Sequence, residues 1–365
     1  MIPLPAGQKG LALLMTLSMI ALMVPIALTV NLTTRETVVQ TALTRDDVTL
    51  HHMAMSALAL GQTLLIQDRL ASDADTLSEP WADPQRIETH LQALPFENGR
   101  LTLAITDEKA RLQVNALLDP RDRTAFNPRQ QRLWVRFLSL IMPPMDSASE
   151  GGPEDVVNAL KDWLDAGDAD AVTGFNGAES AYYEALAAPY TCANAPIRHS
   201  DEMRAIRWIT PALFGGDGER PGIARFVTAY GLMRSENGRH YDGKINLNTA
   251  DLPVLKALMP VGLEDLATAI VAYRDTLDPA ESAEVLADPH WYRNAPGCAA
   301  LDLDPAVITT SSHLFRLVAA ATLHDRRLTL EAVAERYLKD GRWQCRLLSR
   351  FRPIPVAQSL REKTE

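Results

Sequence analysis

Acidic side chains gather in the middle of the chain in a pattern that suits a calcium ion. Asp162, Asp165, Asp168 and Asp170 follow one another closely, and Glu179 comes soon after. Calcium takes about six to eight oxygen ligands, mostly carboxylates and carbonyls on a flexible loop. Asp165, Asp168, Asp170 and Glu179 therefore form a candidate calcium site. Their spacing differs from that of the helix-loop-helix calcium site, and a solvated acidic loop is the alternative.

The three cysteines do not form a zinc motif, because they make no Cys-x-x-Cys pair and have no histidine at ligand spacing. Cys192 and Cys298 both lie in proline-rich loop sequence. In an oxidising compartment we expect a disulfide between them. Cys345 lies in a strand-like segment and is expected to be a buried free thiol. The alternative is that all three are reduced core residues, since unpaired cysteine is often buried.

The charge of the chain argues against binding to nucleic acid. Its 365 residues include 36 lysines and arginines and 46 aspartates and glutamates, which gives a formal charge of −10. A nucleic-acid binder needs basic surface to replace the counterions of phosphate. Residues 245–273 have the pattern of a helix-hairpin-helix, but Glu264 and Asp265 stand where a phosphate would lie. This segment is predicted to be a packing module.

The sequence offers no sign of catalysis. It contains neither the Gly-x-Ser-x-Gly of serine hydrolases nor the His-Glu-x-x-His of zinc peptidases. The chain is therefore predicted not to be an enzyme and to require no cofactor, with calcium as its one candidate ligand.

An apolar segment near the N-terminus has the length of a membrane span. Residues 11–32 include no charged side chain, and as a helix they measure about 33 Å, the thickness of the hydrocarbon core of a bilayer. The run is too long for the apolar part of a secretory signal. Lys9 precedes it, which favours a cytoplasmic N-terminus and an exported remainder. An ordinary signal anchor is one interpretation of this stretch.

The periodicity of apolar residues after the span predicts both helices and strands. Apolar residues at helical spacing extend the membrane helix to about Asp68. Near both ends of the sequence that follows, apolar and polar residues alternate, which predicts strands. We expect a β-hairpin of 101–105 with 111–115, and antiparallel strands over 313–319, 328–334 and 343–348. The expected helices cover 87–94, 129–141, 154–164, 180–187, 200–209, 221–228, 252–258 and 263–273.

Four motifs follow one another along nearly the whole chain. They are Lys9-Gly10 before the apolar run, Asp162-Trp-Leu-Asp165, Gly177-Ala-Glu-x-x-Tyr-Tyr183 and Lys244-Ile-Asn-Leu-Asn-Thr249. Together with the order of the elements, they resemble the general secretion pathway protein K family, the K-type minor pseudopilins of type II secretion.

The resemblance implies an α+β fold with a long, pilin-like N-terminal helix packed on an antiparallel sheet. A large all-helical domain, SAM-like or helix-hairpin-helix-like, would be inserted between strands. The implied parts are a leader over 1–10, a transmembrane helix over 11–32, and the rest of the spine helix with a first hairpin over 33–118. The inserted domain would cover 119–305, the C-terminal strands 306–355 and a flexible tail 356–365.

The resemblance also implies processing at the N-terminus. In the family a prepilin peptidase cuts after the glycine, here between Gly10 and Leu11, and methylates the new N-terminus, here Leu11. The sequence departs from the family at Leu11, where Phe or Met is usual. Major pilins have Glu at the fifth mature position, and this chain has Met15 there. Absence of that Glu is characteristic of the K-type subunit.

The implied function is that of a minor pseudopilin at the tip of the type II secretion pseudopilus, where it helps to initiate assembly and export across the outer membrane. Its partners would be the other minor pseudopilins, the major pseudopilin, the prepilin peptidase and the assembly platform. It would cross the bacterial inner membrane once, with its bulk in the periplasm. Some members of the family bind calcium in the helical domain. The competing interpretation is a signal-anchored periplasmic binding protein with a helix-hairpin-helix module of the DNA-uptake type.

Overall fold

A computed structural model of the chain describes residues 8–96, 98–143, 151–167, 172–235, 238–348 and 352–353. The first part of the leader, Asp168 and Asp170 of the candidate calcium site, and the tail 356–365 lie outside these residues. The helices are α1 Gln8–Ala71, α2 Pro84–Gln92, α3 Pro128–Ile141, α4 Pro153–Leu164, α5 Ser180–Glu184, α6 Pro211–Gly215, α7 Leu252–Leu258, α8 Leu266–Thr276 and α9 Pro279–Val285. The strands are β1 Arg100–Asp107, β2 Leu112–Gln113, β3 Val227–Thr228, β4 Leu232–Ser235, β5 Gly238–Tyr241, β6 Ile245–Asn246, β7 Ile308–Thr309, β8 Leu314–Leu323, β9 Arg326–Lys339, β10 Arg342–Leu347 and β11 Arg352–Pro353.

Helix α1 is the spine of the molecule, and its 64 residues confirm the predicted continuation of the membrane helix. Its second half is amphipathic, with Leu50, Met53, Leu58 and Leu65 buried at helical spacing. The side chains of residues 10–45 are exposed. The spine thus has one half that packs on the rest of the chain and one half that does not.

An antiparallel sheet receives the buried face of α1. Its strands lie in the order β1-β8-β9-β10, and β11 also pairs with β9. The three predicted C-terminal strands are confirmed as β8, β9 and β10. Leu103 and Ile105 of β1 and Phe315 and Leu317 of β8 pack with the spine in one hydrophobic core. The long N-terminal helix on an antiparallel sheet is therefore confirmed.

Gly61 lies on the face of α1 that packs against β1 and β8. A Cβ atom at this position would lie 2.6 Å from Cδ2 of Leu317 and 3.3 Å from Cδ2 of Leu103. Carbon atoms in contact are normally about 3.5–4.0 Å apart. The glycine lets helix and sheet approach more closely than any larger residue would without rearrangement.

The predicted β-hairpin of 101–105 with 111–115 is wrong. Strand β1 pairs with β8 instead, and β2 pairs in parallel with β3, far along the chain. The chain turns away after β1 because Asp107 Oδ1 accepts the backbone N–H of Lys109 at 2.7 Å and caps a 3₁₀ turn over Glu108–Ala110. Leu112 and Val114 then join a second hydrophobic core.

The second core belongs to the inserted domain. This domain was predicted to be all-helical, and that prediction is wrong. Strands β3, β4, β5 and β6 lie within residues 119–305. The expected helices over 200–209 and 221–228 are reduced to 3₁₀ turns over Ser200–Ala205 and Ile223–Arg225. The first ends early because Ile206 is extended and Trp208 has a φ of 71°, which a right-handed helix does not allow. The second is cut short because Val227–Thr228 forms β3.

Helices α3, α4 and α7 agree closely with their predicted ranges, and they form the centre of the inserted domain with Trp134, Phe137 and Trp163 buried among them. Helix α8 begins at Leu266 rather than at residue 263. In the turn before it, Glu264 pairs with Arg136 of α3 at 3.0 Å. This contact supports the prediction that the α7–α8 pair is a packing module.

Candidate functional site: the spine helix and a buried acidic cluster

The first half of α1 has the properties of a helix that crosses a membrane. Its apolar part is long enough to do so by length and composition, with a mean hydropathy of 2.4 over the best window and none of that window buried. The hydroxyl groups of Thr29, Thr33 and Thr37 each donate to the carbonyl four residues earlier, at 2.8, 2.9 and 2.8 Å. Such bonds satisfy side-chain donors within the helix, as an apolar solvent requires.

The predicted cleavage bond lies at the start of this helix. Gly10 has no atom within 4 Å of the position of a Cβ, apart from its neighbours and its own helix backbone, and Leu11 is exposed. Met15 is also exposed and brings no charge to the apolar segment. Cleavage between Gly10 and Leu11 and methylation of Leu11 remain predictions.

A buried acidic cluster is formed by Asp162 near the end of α4, Asp165 at its C-cap and Glu179 at the N-cap of α5. The three side chains are buried, and one carboxylate oxygen from each lies within 4.8 Å of the others. The structure thus brings together two predicted ligands, Asp165 and Glu179. Asp162, which the sequence placed nearby but outside the predicted ligand set, completes the cluster.

The cluster is held by hydrogen bonds from the loop that follows α4. Asp162 accepts the backbone N–H groups of Thr173, at 3.1 and 3.2 Å, and of Ala178, at 2.8 Å. Burial raises the pKa of Asp162, and these hydrogen bonds oppose the rise. Lys161 donates to Asp165 Oδ2 at 2.6 Å and to Thr173 Oγ1 at 3.0 Å. The loop is therefore fastened to the end of α4 by charged and polar contacts.

The residues present fit a hard cation on two grounds. Oδ1 of Asp165 is buried and has no hydrogen-bond partner among the described residues, and such an oxygen is costly unless something binds it. A Cβ at Gly177 would lie 2.1 Å from Asp162 Oδ2, so the glycine keeps space beside the carboxylate. Lys161 opposes a cation, because it neutralises one oxygen that a metal would use. Asp162, Asp165 and Glu179 would hold the ion.

The predicted disulfide between Cys192 and Cys298 is not present. Both thiols are free and buried, and Cys345 is free as well. Cys192 donates to the carbonyl of Asp162 at 3.4 Å, beside the acidic cluster, whereas Cys298 lies near the carbonyl of Pro296. The two loops share a proline-rich composition but have separate surroundings. Burial raises the pKa of Cys192 to about 12, so its thiol is protonated.

The fold has a counterpart among solved structures. The crystal structure of the GspK-GspI-GspJ complex from the type 2 secretion system of enterotoxigenic Escherichia coli contains a chain that resembles this one with a TM-score of 0.61. The match covers 86% of this chain and 99% of that one, at 18% identity. The two chains therefore share a fold, in which a spine helix packs on an antiparallel sheet and a further domain follows the first strand.

The sequence relatives point to one family. The family model for protein K of the type II secretion system matches residues 110–216. The type II secretion system protein K of Klebsiella pneumoniae is 30% identical over 210 residues, which make up 57% of this chain and 60% of that protein. The protein K of Aeromonas hydrophila is 26% identical over 334 residues, 89% of this chain and 92% of that protein. The chain is therefore similar to the type II secretion system protein K family, over residues 110–216 by the family model and over most of its length by the Aeromonas hydrophila protein.

Proposed function

We propose that this chain is a minor pseudopilin that acts at the tip of the type II secretion pseudopilus. The observation that carries the proposal is the unburied half of α1, where residues 10–45 stay helical while their side chains are exposed. A helix of this kind needs either lipid or other helices around it. A pseudopilin is first held in the membrane, where lipid surrounds this helix, and later packs in a fibre, where other helices surround it.

The partners follow from the same surface. The related chain was crystallised as part of a GspK-GspI-GspJ complex, and counterparts of GspI and GspJ are the proposed companions of this chain. In the membrane, the precursor would meet the prepilin peptidase and the assembly platform, and in the fibre it would meet the major pseudopilin. The role is one of assembly rather than of catalysis.

Position at the tip is supported by Met15. In a fibre, a Glu at this site is expected to pair with the N-terminal amine of the neighbouring subunit above. A subunit with nothing above it has no such amine to neutralise, and an unpaired carboxylate in an apolar environment is costly. The inserted domain, which adds a second core to the pilin-like part, would also obstruct a subunit stacked above it.

The intact mass of the membrane-purified chain tests the pseudopilin assignment. We expect loss of residues 1–10, with or without one methyl group on Leu11. Gly10→Val should keep the leader, whereas Gly7→Val, within the leader, should not. Retention of the leader in the unaltered chain would select the signal-anchored binding protein. Gel-shift measurements with DNA test whether the chain is a binding protein of the DNA-uptake type, and we expect no shift.

Calcium binding by the acidic cluster is a separate part of the proposal. Calcium at about one hundred times its Kd stabilises the folded chain by about 2.7 kcal/mol if it binds only that state. We expect calcium to raise the melting temperature of the full chain in detergent and to have no such effect on Asp165→Asn. Glu184→Gln changes an exposed acid on α5 and is the matched control. An equal calcium shift in Asp165→Asn would exclude this site.

A further inference from the structure

A second group of buried ionisable side chains lies where the spine, the sheet and the inserted domain meet. We call it the joint, and it consists of Asp68, Asp75, Glu79, Asp107 and Arg336. Their exposed fractions are 6%, 0%, 6%, 3% and 2%. Four carboxyl groups thus share a water-excluded region with one guanidinium, which leaves an excess of negative charge if all are ionised.

Arg336 of β9 lies at the centre of the joint. Its guanidinium donates to Asp68 Oδ2 at 2.9 Å, to Asp75 Oδ1, and to the carbonyls of Leu65 at 3.0 Å and Ser312 at 2.7 Å. The single positive charge of Arg336 therefore already interacts with two carboxylates and with a carbonyl in the last turns of α1. It cannot neutralise the remaining acids as well.

Asp107 links the joint to the inserted domain. Its Oδ2 accepts the side-chain amide of Asn246 at 2.8 Å and the hydroxyl of Thr249 at 2.6 Å. The same amide also donates to the carbonyl of Asp75 at 3.1 Å. These contacts make the joint the polar connection between the two hydrophobic cores.

Glu79 is incompletely satisfied. Its Oε2 accepts the backbone N–H of Thr76 and the indole N–H of Trp81, both at 2.9 Å. Its Oε1 is buried, and within the described part of the chain it has no hydrogen-bond partner. One oxygen from each of Asp68, Asp75 and Glu79 lies within 4.8 Å of the others. Carboxylates this close in a buried site do not all ionise, because each disfavours the charge of its neighbour.

The charged groups around the joint do not supply the missing positive charge. Lys109 pairs with Asp242 at 2.8 Å, and Arg69 turns to the exposed Asp73 at 3.0 Å. Burial lowers the pKa of His313 to about 4, so that its ring is neutral. On β10, burial raises the pKa of the Cys345 thiol to about 11, so this group is neutral too.

We propose that the joint holds a proton between the carboxyl groups of Asp68 and Glu79, and that loss of this proton at alkaline pH loosens the end of the spine from the sheet. A protonated Asp68 would be a hydrogen-bond donor close to Glu79, whose Oε1 has no partner among the described residues. A metal ion would bring further positive charge close to Arg336, which already binds Asp68 and Asp75, whereas a proton leaves those contacts in place.

The direction of the pH effect follows from the pKa values of the two aspartates. Burial, followed by the negative charges of Glu79 and Asp75, raises the pKa of Asp68 to about 8. Burial raises the pKa of Asp75 to about 6. Because the folded chain keeps a proton that the unfolded chain releases near pH 3.8, stability falls as the pH rises towards 8 and levels off above it.

Thermal unfolding of the full chain in detergent micelles from pH 5 to pH 9 tests the proposal. We expect the melting temperature to fall across this range. Asp68→Asn, whose amide mimics the protonated acid, should flatten the profile and melt higher than the unaltered chain at pH 9. Asp73→Asn alters an acid of the loop that follows α1, whose side chain is 94% exposed, and it should keep the original profile.

Infrared spectroscopy provides a readout that does not depend on the folding of Asp68→Asn. At pH 7 the unaltered chain should show the C=O stretch of a protonated, buried carboxylic acid, and Glu79→Gln should weaken or shift this band. An Asp68→Asn profile as steep as that of the unaltered chain, or absence of the band from the unaltered chain, would overturn the proposal.

A calcium titration distinguishes the proton from a metal ion. It uses Asp165→Asn, in which the other acidic cluster is disabled, at pH 9. We expect no rise in melting temperature. A rise that disappears when Asp68→Asn is added would make the joint a cation site and would refute the proton proposal.

Discussion

Replacement of Gly61 by alanine tests how closely the spine packs on the sheet. At an exposed position in a helix, alanine is more favourable than glycine by about 0.8–1.0 kcal/mol. Here the new Cβ would lie 2.6 Å from Cδ2 of Leu317, and Leu317 is fully buried. Overpacking of a tight core costs about 1–3 kcal/mol. The clash outweighs the gain, so we expect Gly61→Ala to destabilise the chain by about 0–2 kcal/mol.

A double-mutant cycle with Leu317→Val isolates this contact. The shorter side chain removes the methyl group that the new Cβ would meet, so the two changes together should cost less than the sum of their separate effects. Residues in contact give coupling energies of about 0.5–3 kcal/mol. The assay is reversible unfolding of the full chain in detergent micelles, followed by helical circular dichroism.

Ala59→Gly is the matched control, because Ala59 is exposed on the same helix and reports helix propensity without the clash. We expect it to destabilise the chain by about 1 kcal/mol. If Gly61→Ala instead stabilised the chain by the amount that Ala59→Gly costs, the close approach of helix and sheet described above would be incorrect.

Three further predictions concern the sheet, the acidic cluster and the membrane helix. Burial alone would raise the pKa of Glu108, but its contacts with Arg316 and a second arginine lower it below its ordinary 4.5. Glu108→Gln should therefore lower the free energy of unfolding at pH 7 by about 3–5 kcal/mol. It should also remove the part of the stability that the unaltered chain loses when Glu108 is protonated, as the pH falls through that lowered pKa. Unfolding at pH 7 and at pH 3 measures both effects. Gly177→Ala should displace Asp162 and abolish the calcium-dependent rise in melting temperature. Gly215→Ala, whose new Cβ would have no other part of the described chain within 4 Å, should leave that rise in place. Met15→Glu should leave pseudopilus assembly in cells unchanged or impair it, and a marked improvement would contradict the tip position.

The elements that repeat a pattern over many residues were predictable from the sequence. The second half of helix α1 buries apolar residues at helical spacing, β8 is a mostly apolar run, and parts of β9 and β10 alternate with a period of 2. Helices α3 and α4 begin at a proline after a capping residue, which marks their starts in the sequence. In these segments the local signal agrees with the fold.

The pairing of strands was not predictable, because alternation indicates a strand without naming its partner. The pattern of β1 suits a hairpin with the next short strand as well as it suits β8. Strands β2 and β3 have two residues each, too few to show any period. Tertiary contacts hold the φ of 71° at Trp208, among them a hydrogen bond from its indole N–H to the carbonyl of Asn176 at 2.9 Å. The residues next to Trp208 in the sequence do not predict this conformation.

The candidate sites were predictable only in part, for a similar reason. The acids near the end of α4 are close in sequence, so Asp165 and Glu179 could be grouped in advance. That Asp162 is the most buried of the cluster depends on the loop that folds back over it. The joint could not be predicted from the sequence, because Asp68 and Arg336 come together only when α1 packs on β9.

The pairing of β1 with β8 also joins segments that are synthesised far apart in time. Asp107 lies opposite Phe315, more than two hundred residues later. At a synthesis rate of about 5–20 residues per second, β1 waits on the order of ten seconds or more for its partner. The inserted domain has its own core, most of which is synthesised in that interval, and its last members, Val307 and Ile308, come just before β8. Once folded, it holds its two ends together through the β6–β7 pair and through Asp107, which binds Asn246. The loop that β1 and β8 must close is then far shorter than the sequence between them, so the inserted domain acts as an internal clamp for the sheet.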